Sequence, residues 1–173
     1  LSEVTRKWHW YSMKVEKDGE TVEIDDYLTD ELTDAATAFI DQQVEAENPF
    51  FLYLAYNAPH APLQATEKYL SRFSDIEDKR RRTYAAMVSC VDDGVGRVMK
   101  TLSKQGILEN TIVVFLSDNG GAITKNASKN GPLRGAKSDL YEGGIRVPFA
   151  MQWIGTIPAN LTYTEPVISL DIL

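Results

Sequence analysis

The chain has one cysteine, Cys90, and two histidines, His9 and His60, among 173 residues. A single thiol excludes an intramolecular disulfide and any zinc site built on cysteines. Cys90 sits in the apolar helical stretch Ala85-Ala86-Met87-Val88-Ser89-Cys90-Val91 and reads as a buried, inert thiol. No apolar run reaches the length of about 18 residues that a membrane span needs, so no membrane partner is expected. Leu1 to Lys7 has no signal-peptide-like apolar stretch, and localisation is not read from it. There are no internal repeats and no low-complexity tract. Positive charge is scarce: 18 Lys and Arg stand against 25 Asp and Glu, for a net charge of −7. The only basic run, Arg80-Arg81-Arg82, follows Asp75, Glu77 and Asp78 and reads as a solvated helix surface. Without a basic stripe, no nucleic-acid partner is expected. An anion can still bind an acidic chain, through a local basic pocket or a metal.

What is present suits one globular domain, with 43% hydrophobic residues. Tyr11 to Asp25 predicts a β-hairpin turning at Asp18-Gly19. A helix is expected from Thr29, read as its N-cap, with Leu32, Ala35, Ala36, Phe39, Ile40 and Val44 on one apolar face and Asn48-Pro49 as its stop. Phe50 to Tyr56 is a short, aromatic-rich run bounded by prolines, the pattern of a strand buried on both faces. Thr66 to Phe73 predicts a short helix. A long helix follows from about Asp78 to Gln105, closed by Gly106. Thr111 to Leu116 and Val147 to Trp153 predict two more buried strands, and Ser169 caps a final helix. Buried strands separated by helices predict an α/β fold with a largely parallel sheet. Sites in such sheets lie just past the carboxyl ends of the strands.

Three stretches past strand ends carry candidate chemistry. Asn57-Ala58-Pro59-His60-Ala61-Pro62 holds His60 between two prolines, where an imidazolium can bind an anion or protonate a leaving group. Lone histidines are more often structural. Ser117-Asp118-Asn119-Gly120-Gly121 offers two oxygen donors, Asp118 and Asn119, of the kind that bind Ca²⁺ or Mg²⁺. The same residues are also ordinary turn chemistry. Gly131 to Pro148 places Arg134, Lys137 and Arg146 in a glycine-rich stretch, suited to an anion or to a plain surface loop.

Taken together and in this order, the stretches Pro49–Pro62, Thr111–Gly121 and Gly131–Pro148 resemble the sulfatase family of the alkaline-phosphatase superfamily. Tyr27-Leu28-Thr29-Asp30 and Ile168-Ser169-Leu170-Asp171-Ile172-Leu173 add to the likeness. The resemblance is to the arylsulfatase type acting on sulfated carbohydrates. It implies a partial alkaline-phosphatase-like fold. It implies that His60 and Lys137 are catalytic, contacting the sulfate near the leaving-group oxygen. It implies that Asp118 and Asn119 are ligands of a Ca²⁺ ion, and that the substrate is a sulfate ester. An asparagine beside the aspartate favours one hard cation over the zinc of related phosphatases.

The chain also departs from the family. The formylglycine nucleophile arises from a Cys/Ser-x-Pro/Ala-x-Arg motif, which does not occur here; Cys90 is followed by Val91-Asp92-Asp93-Gly94. The pairs Asp25-Asp26 and Asp92-Asp93 follow no apolar strand and are not assigned as ligands. Ala136 stands where glycine is common before the lysine. Residues 1–173 therefore read as a partial catalytic domain, without the nucleophile-bearing segment or the C-terminal subdomain. It is expected to be inactive alone and to form homo-oligomers through apolar surface left exposed. Two other readings stay open: a related phosphodiesterase, phosphonate hydrolase or phosphotransferase, and a non-catalytic interaction protein that keeps the fold. Two Asn-x-Ser/Thr sequons, at Asn126 and Asn160, carry little weight.

Overall fold

The computed structural model describes residues 14–24 and 26–172. The expected hairpin is present as β1 (Lys14–Lys17) and β2 (Glu20–Glu23), antiparallel, with Val15 opposite Val22. Asp18 and Gly19 both take positive φ, 54° and 83°. That is the two-residue turn whose twist matches the flanking strands. Tyr11, Met13 and Asp25 of the expected hairpin lie outside the described residues, as does His9.

Three helices build the body: α1 (Leu28–Glu45), the single turn α2 (Glu67–Leu70) and α3 (Lys79–Lys104). On α1 the buried positions Thr29, Thr33, Ala36 and Ile40 recur every three or four residues, one stripe of a helix. Thr29 is not the N-cap. Tyr27 occupies that position without a side-chain cap bond. Thr29 is 1% exposed and lies inside the helix, its carbonyl accepting from Thr33 Oγ1 at 2.9 Å. Burial has overridden its capping preference. Asp78 does cap α3, its Oδ1 accepting from the Arg81 backbone N–H at 2.9 Å. That bond holds the Asp78 carboxyl below its usual range. Gly106, at φ 71°, ends the helix as expected.

The core gathers Tyr27, Ala58, Ala65, Tyr69, Ala86, Met87 and Cys90. Cys90 is 1% exposed, and burial pushes its thiol up to about 11, as an inert cysteine requires. Tyr69 has no exposed surface. Its hydroxyl donates to Asp30 Oδ1 at 2.7 Å and accepts from Lys68 Nζ at 2.7 Å. The buried polar group is thereby satisfied, and burial raises the phenol well above its ordinary value. Of the two unassigned aspartate pairs, Asp93 is accounted for. It receives two hydrogen bonds from Arg72, at 2.9 and 2.7 Å, which lower its pKa.

Two glycines on α3 make opposite predictions. A Cβ at Gly94 would meet Tyr56 Oη at 2.5 Å and Thr33 Oγ1 at 2.7 Å, splitting the 2.8 Å hydrogen bond between those hydroxyls. A Cβ at Gly96 meets nothing within 4 Å. Gly94→Ala is expected to lower stability by about 1–3 kcal/mol by overpacking. Gly96→Ala is expected to raise it by about 0.4–1 kcal/mol by restricting the unfolded chain. Urea midpoints of the two variants check this; two shifts of the same sign would refute it.

The parallel sheet is corrected. The described strands form two separate antiparallel pairs. β3 (Val113–Leu116) pairs with β4 (Phe149–Gln152), Val113 opposite Gln152 and Leu116 opposite Phe149. Ser117 N donates to Pro148 O at 3.1 Å and prolongs the ladder. The chain leaves β3 and enters β4 at the same end, so the two must run antiparallel. Nor are these strands buried on both faces: Phe115, Leu116, Phe149 and Met151 are exposed. Phe50 to Tyr56 forms no ladder among the described residues. It is half-buried in alternation. Phe50 packs edge-on to Phe39 at 5.7 Å and Tyr56 bonds to Thr33, while Phe51 and Tyr53 are 73% and 79% exposed. A period of two is strand patterning with one face covered.

Candidate active site

Past β3 the chain turns sharply through Ser117-Asp118-Asn119-Gly120-Gly121. Ser117 Oγ donates to Asn119 O at 3.0 Å. Asp118 Oδ1 accepts from Asn119 N at 2.9 Å, and Asn119 Nδ2 donates to Gly120 O at 3.1 Å. With its amide nitrogen so engaged, Asn119 keeps its Oδ1 as an acceptor beside the Asp118 carboxylate. The turn expected from these residues and the pair of oxygen donors thus coexist.

Past Tyr56, a tight turn closes with His60 N donating to Asn57 O at 2.9 Å. His60 Nδ1 lies 2.5 Å from Ala61 O. A carbonyl only accepts, so Nδ1 carries the hydrogen. Nε2 is then the free lone pair, or in the imidazolium the second donor.

The glycine-rich stretch sorts its three cations. Arg134 lies over the Tyr141 ring at 3.8 Å and donates to its hydroxyl at 2.8 Å. Arg146 pairs with Glu142 at 3.1 Å. Lys137 has neither kind of partner among the described residues. It sits in a turn bounded by Gly135 at φ 94° and Ser138 at φ 78°. Asp139 Oδ2 accepts from Ala136 N at 2.9 Å within that turn, so alanine before the lysine is accommodated.

His60, Asp118, Asn119 and Lys137 line one open cavity of about 660 Å³. Tyr56, Tyr84, Lys14, Lys125 and Asn126 line it as well. Sequence reasoning missed Lys125, although it stands only four residues past Gly121 on the single turn α4 (Ile123–Asn126). Tyr84 had no signal at all, because α3 reaches the cavity only through the tertiary fold. The arginine run lies on the surface of α3 as expected, with Arg80 exposed, but its guanidiniums also have backbone partners. Arg80 donates to Thr124 O and Lys125 O at 2.7 and 2.8 Å, Arg81 to Ala127 O at 3.0 Å, and Arg82 to Ile76 O at 2.7 Å. Guanidiniums complement the unpaired carbonyls at a helix C-terminus, and here Arg80 and Arg81 fix α4 beside the cavity. Of the two sequons, Asn126 is buried, with Oδ1 accepting from Ser128 N at 3.1 Å. Asn160 is exposed.

Among the described residues no three His, Cys, Asp or Glu side chains gather into a metal cluster. Asp118 and Asn119 suit two places in a calcium shell, which takes about six to eight oxygens in all. Among the described residues no helix is long and apolar enough to cross a membrane.

The family model described as Sulfatase matches residues 3–173. The chain is 37% identical over 166 residues to "Uncharacterized sulfatase YdeN" of Escherichia coli (strain K12), covering 94% of this chain and 29% of that protein. It is 38% identical over 136 residues to N-acetylgalactosamine-6-sulfatase of Canis lupus familiaris, covering 77% of this chain and 25% of that one. Among solved structures it resembles Ps i-CgsB in complex with k-i-k-neocarrahexaose. The TM-score is 0.88 and the identity 44%, over 92% of this chain and 35% of the other. The chain thus spans roughly a third or less of the length of these relatives. A match along nearly its whole length, in sequence and in fold, makes the chain a member of the sulfatase family.

Proposed function

We propose that the protein carrying this chain hydrolyses sulfate esters, and that residues 1–173 supply the leaving-group side of its active site. The observation that carries the reading is the meeting of His60, Lys137 and the Asp118–Asn119 pair in one cavity. Sulfate-ester cleavage puts negative charge on the departing ester oxygen. Lys137, a cation without a carboxylate partner among the described residues, offsets that charge by its position. His60, with Nδ1 committed to Ala61 O, presents Nε2–H from its imidazolium to the same oxygen and delivers the proton as the bond breaks. Asp118 and Asn119 would hold a Ca²⁺ ion, which when bound polarises the sulfate oxygens. No Cys/Ser-x-Pro/Ala-x-Arg motif occurs in these 173 residues.

Likeness to N-acetylgalactosamine-6-sulfatases and to a structure holding neocarrahexaose supports a sulfated carbohydrate as substrate. The test is a panel of aryl and carbohydrate sulfates and phosphates, given to the full-length protein with Ca²⁺. Multiple turnover of sulfates, lost on chelation and restored by Ca²⁺, is the expected result. Residues 1–173 alone are expected to give none. A preference for phosphate esters would sink the reading, and no turnover of any ester would leave a binding protein in its place.

A further inference from the structure

Behind the cavity wall, one uncharged side chain ties two site loops together. Asn130 Oδ1 accepts from Gly121 N at 3.0 Å. Its Nδ2 donates to Gly121 O at 2.9 Å and to Gly135 O at 3.0 Å. A primary amide carries an acceptor oxygen and two donor hydrogens in one plane, and here the oxygen and both hydrogens are engaged. Gly121 directly follows the Asp118-Asn119-Gly120 turn, and Gly135 lies two residues before Lys137. Lys137 N donates to the same Gly121 carbonyl at 3.2 Å. The metal-side turn and the lysine turn are therefore registered through a single amide.

The register has little slack. A Cβ at Gly121 would collide with Ser128 Oγ and come within 2.5 Å of Ser128 Cβ. Ser128 is itself buried. Asn130 is not among the residues that line the cavity, so any effect on a bound ester must act through other residues.

We propose that Asn130 is a positioning residue that sets the placement of Lys137 relative to Asp118 and Asn119. The proposal rests on the sulfate-ester reading. An amide suits the task because only it offers both polarities to the Gly121 peptide while keeping a second donor for Gly135. Aspartate has the same shape but presents a carboxylate to two carbonyl oxygens, so both donor bonds are lost and repulsion replaces them.

The test is Asn130→Asp in the full-length protein, assayed on aryl sulfates of graded leaving-group pKa and combined with Lys137→Ala. Misplacement of a catalytic group by an ångström costs about 100-fold. The expected loss in kcat/KM is about 10–100-fold on poor leaving groups and only about threefold on 4-nitrophenyl sulfate. In the Lys137→Ala background Asn130→Asp is expected to cost nothing further, because the group it positions is gone. Hydrogen–deuterium exchange should rise in peptides covering 118–137 and stay unchanged in α1 and α3. A loss equal for all leaving groups, a loss that multiplies with that of Lys137→Ala, or exchange rising throughout would overturn the proposal. If Asn130→Asp does not fold, Asn130→Ser and Asn130→Gln are read by the same criteria. Failure of all three to fold would also overturn it, since Asn130 would then hold up the fold at large. A wild-type protein that turns over no sulfate ester overturns the functional reading together with this one. A wild type that is active but shows a uniform Asn130→Asp loss overturns this one alone.

Discussion

Lys137→Ala is expected to cost the full-length enzyme about 100- to 1,000-fold in kcat on alkyl and carbohydrate sulfates, the usual loss when one preorganised stabiliser of developing charge is removed. The cost should shrink to about tenfold on 4-nitrophenyl sulfate. The difference follows from where charge develops. A nitrophenolate spreads its charge into the ring and needs little help, whereas a sugar alkoxide keeps it on the oxygen. Of the three cations in residues 131–148, Lys137 is the one that lines the cavity; Arg134 is committed to Tyr141 and Arg146 to Glu142. Neither has its charge free to substitute.

Lys137→Arg should recover only part of the rate. A planar guanidinium holds the charge but not the compact geometry of an ammonium. The measurement is a plot of log kcat/KM against leaving-group pKa for wild type and both variants. A steeper slope for Lys137→Ala is the expected outcome. Parallel lines would mean that Lys137 binds the sulfate equally in ground and transition states, so that its loss raises KM without touching the chemical step. The leaving-group role would then fall to His60 alone.

The helices were legible because their signals are local. Asp78 caps α3 and Gly106 closes it, as their residue types require. The hairpin turn at Asp18-Gly19 needs positive φ at both residues, and the sequence offers two residue types that tolerate it. Strand pairing was not legible, because it depends on which neighbour lies alongside. Phe50 to Tyr56 has the apolar density of a central strand, yet Phe51 and Tyr53 stand exposed while Phe50 and Tyr56 pack on α1. A continuous apolar run does not say what covers its second face.

The candidate site divides in the same way. Its four residues follow extended segments or sit in a glycine-rich loop, and such positions are visible in a sequence. The supports behind them are not. Arg80 and Arg81 look like no more than a solvated charge run until Thr124, Lys125 and Ala127 turn their carbonyls toward them. Asn130 looks like an ordinary loop residue until Gly121 and Gly135 are seen to share its amide.

The glycines of the site loops carry the other large prediction. Gly143→Ala is expected to lower the activity of each folded molecule by about 100-fold or more, the cost of moving catalytic groups by about an ångström. Three backbone layers stack here with no side chain between them. A Cβ on Gly143 would collide with Gly135 O and stand 2.6 Å from Arg134 O and 2.8 Å from Gly135 C. Gly143 also presents its own carbonyl to Gly120, where a Cβ would strike it. Hydrogen bonds clamp the stack, Gly143 N to Arg134 O at 2.6 Å and Gly120 N to Gly144 O at 2.9 Å. The atoms in the way are backbone, so no rotamer change relieves the clash. The 134–135 peptide must move, and Lys137 two residues on moves with it, while Gly120 carries the strain toward Asn119. Overpacking of this kind costs about 1–3 kcal/mol, but the buried cluster of Tyr69, Met87 and Cys90 lies between the helices and is untouched. The variant should therefore fold with a modestly lowered Tm and a large loss of kcat. Titrating folded protein by circular dichroism and normalising the rate to it separates the two effects. Full activity per folded molecule, even with a large fall in Tm, would show that the glycine stack serves stability and not the placement of the site.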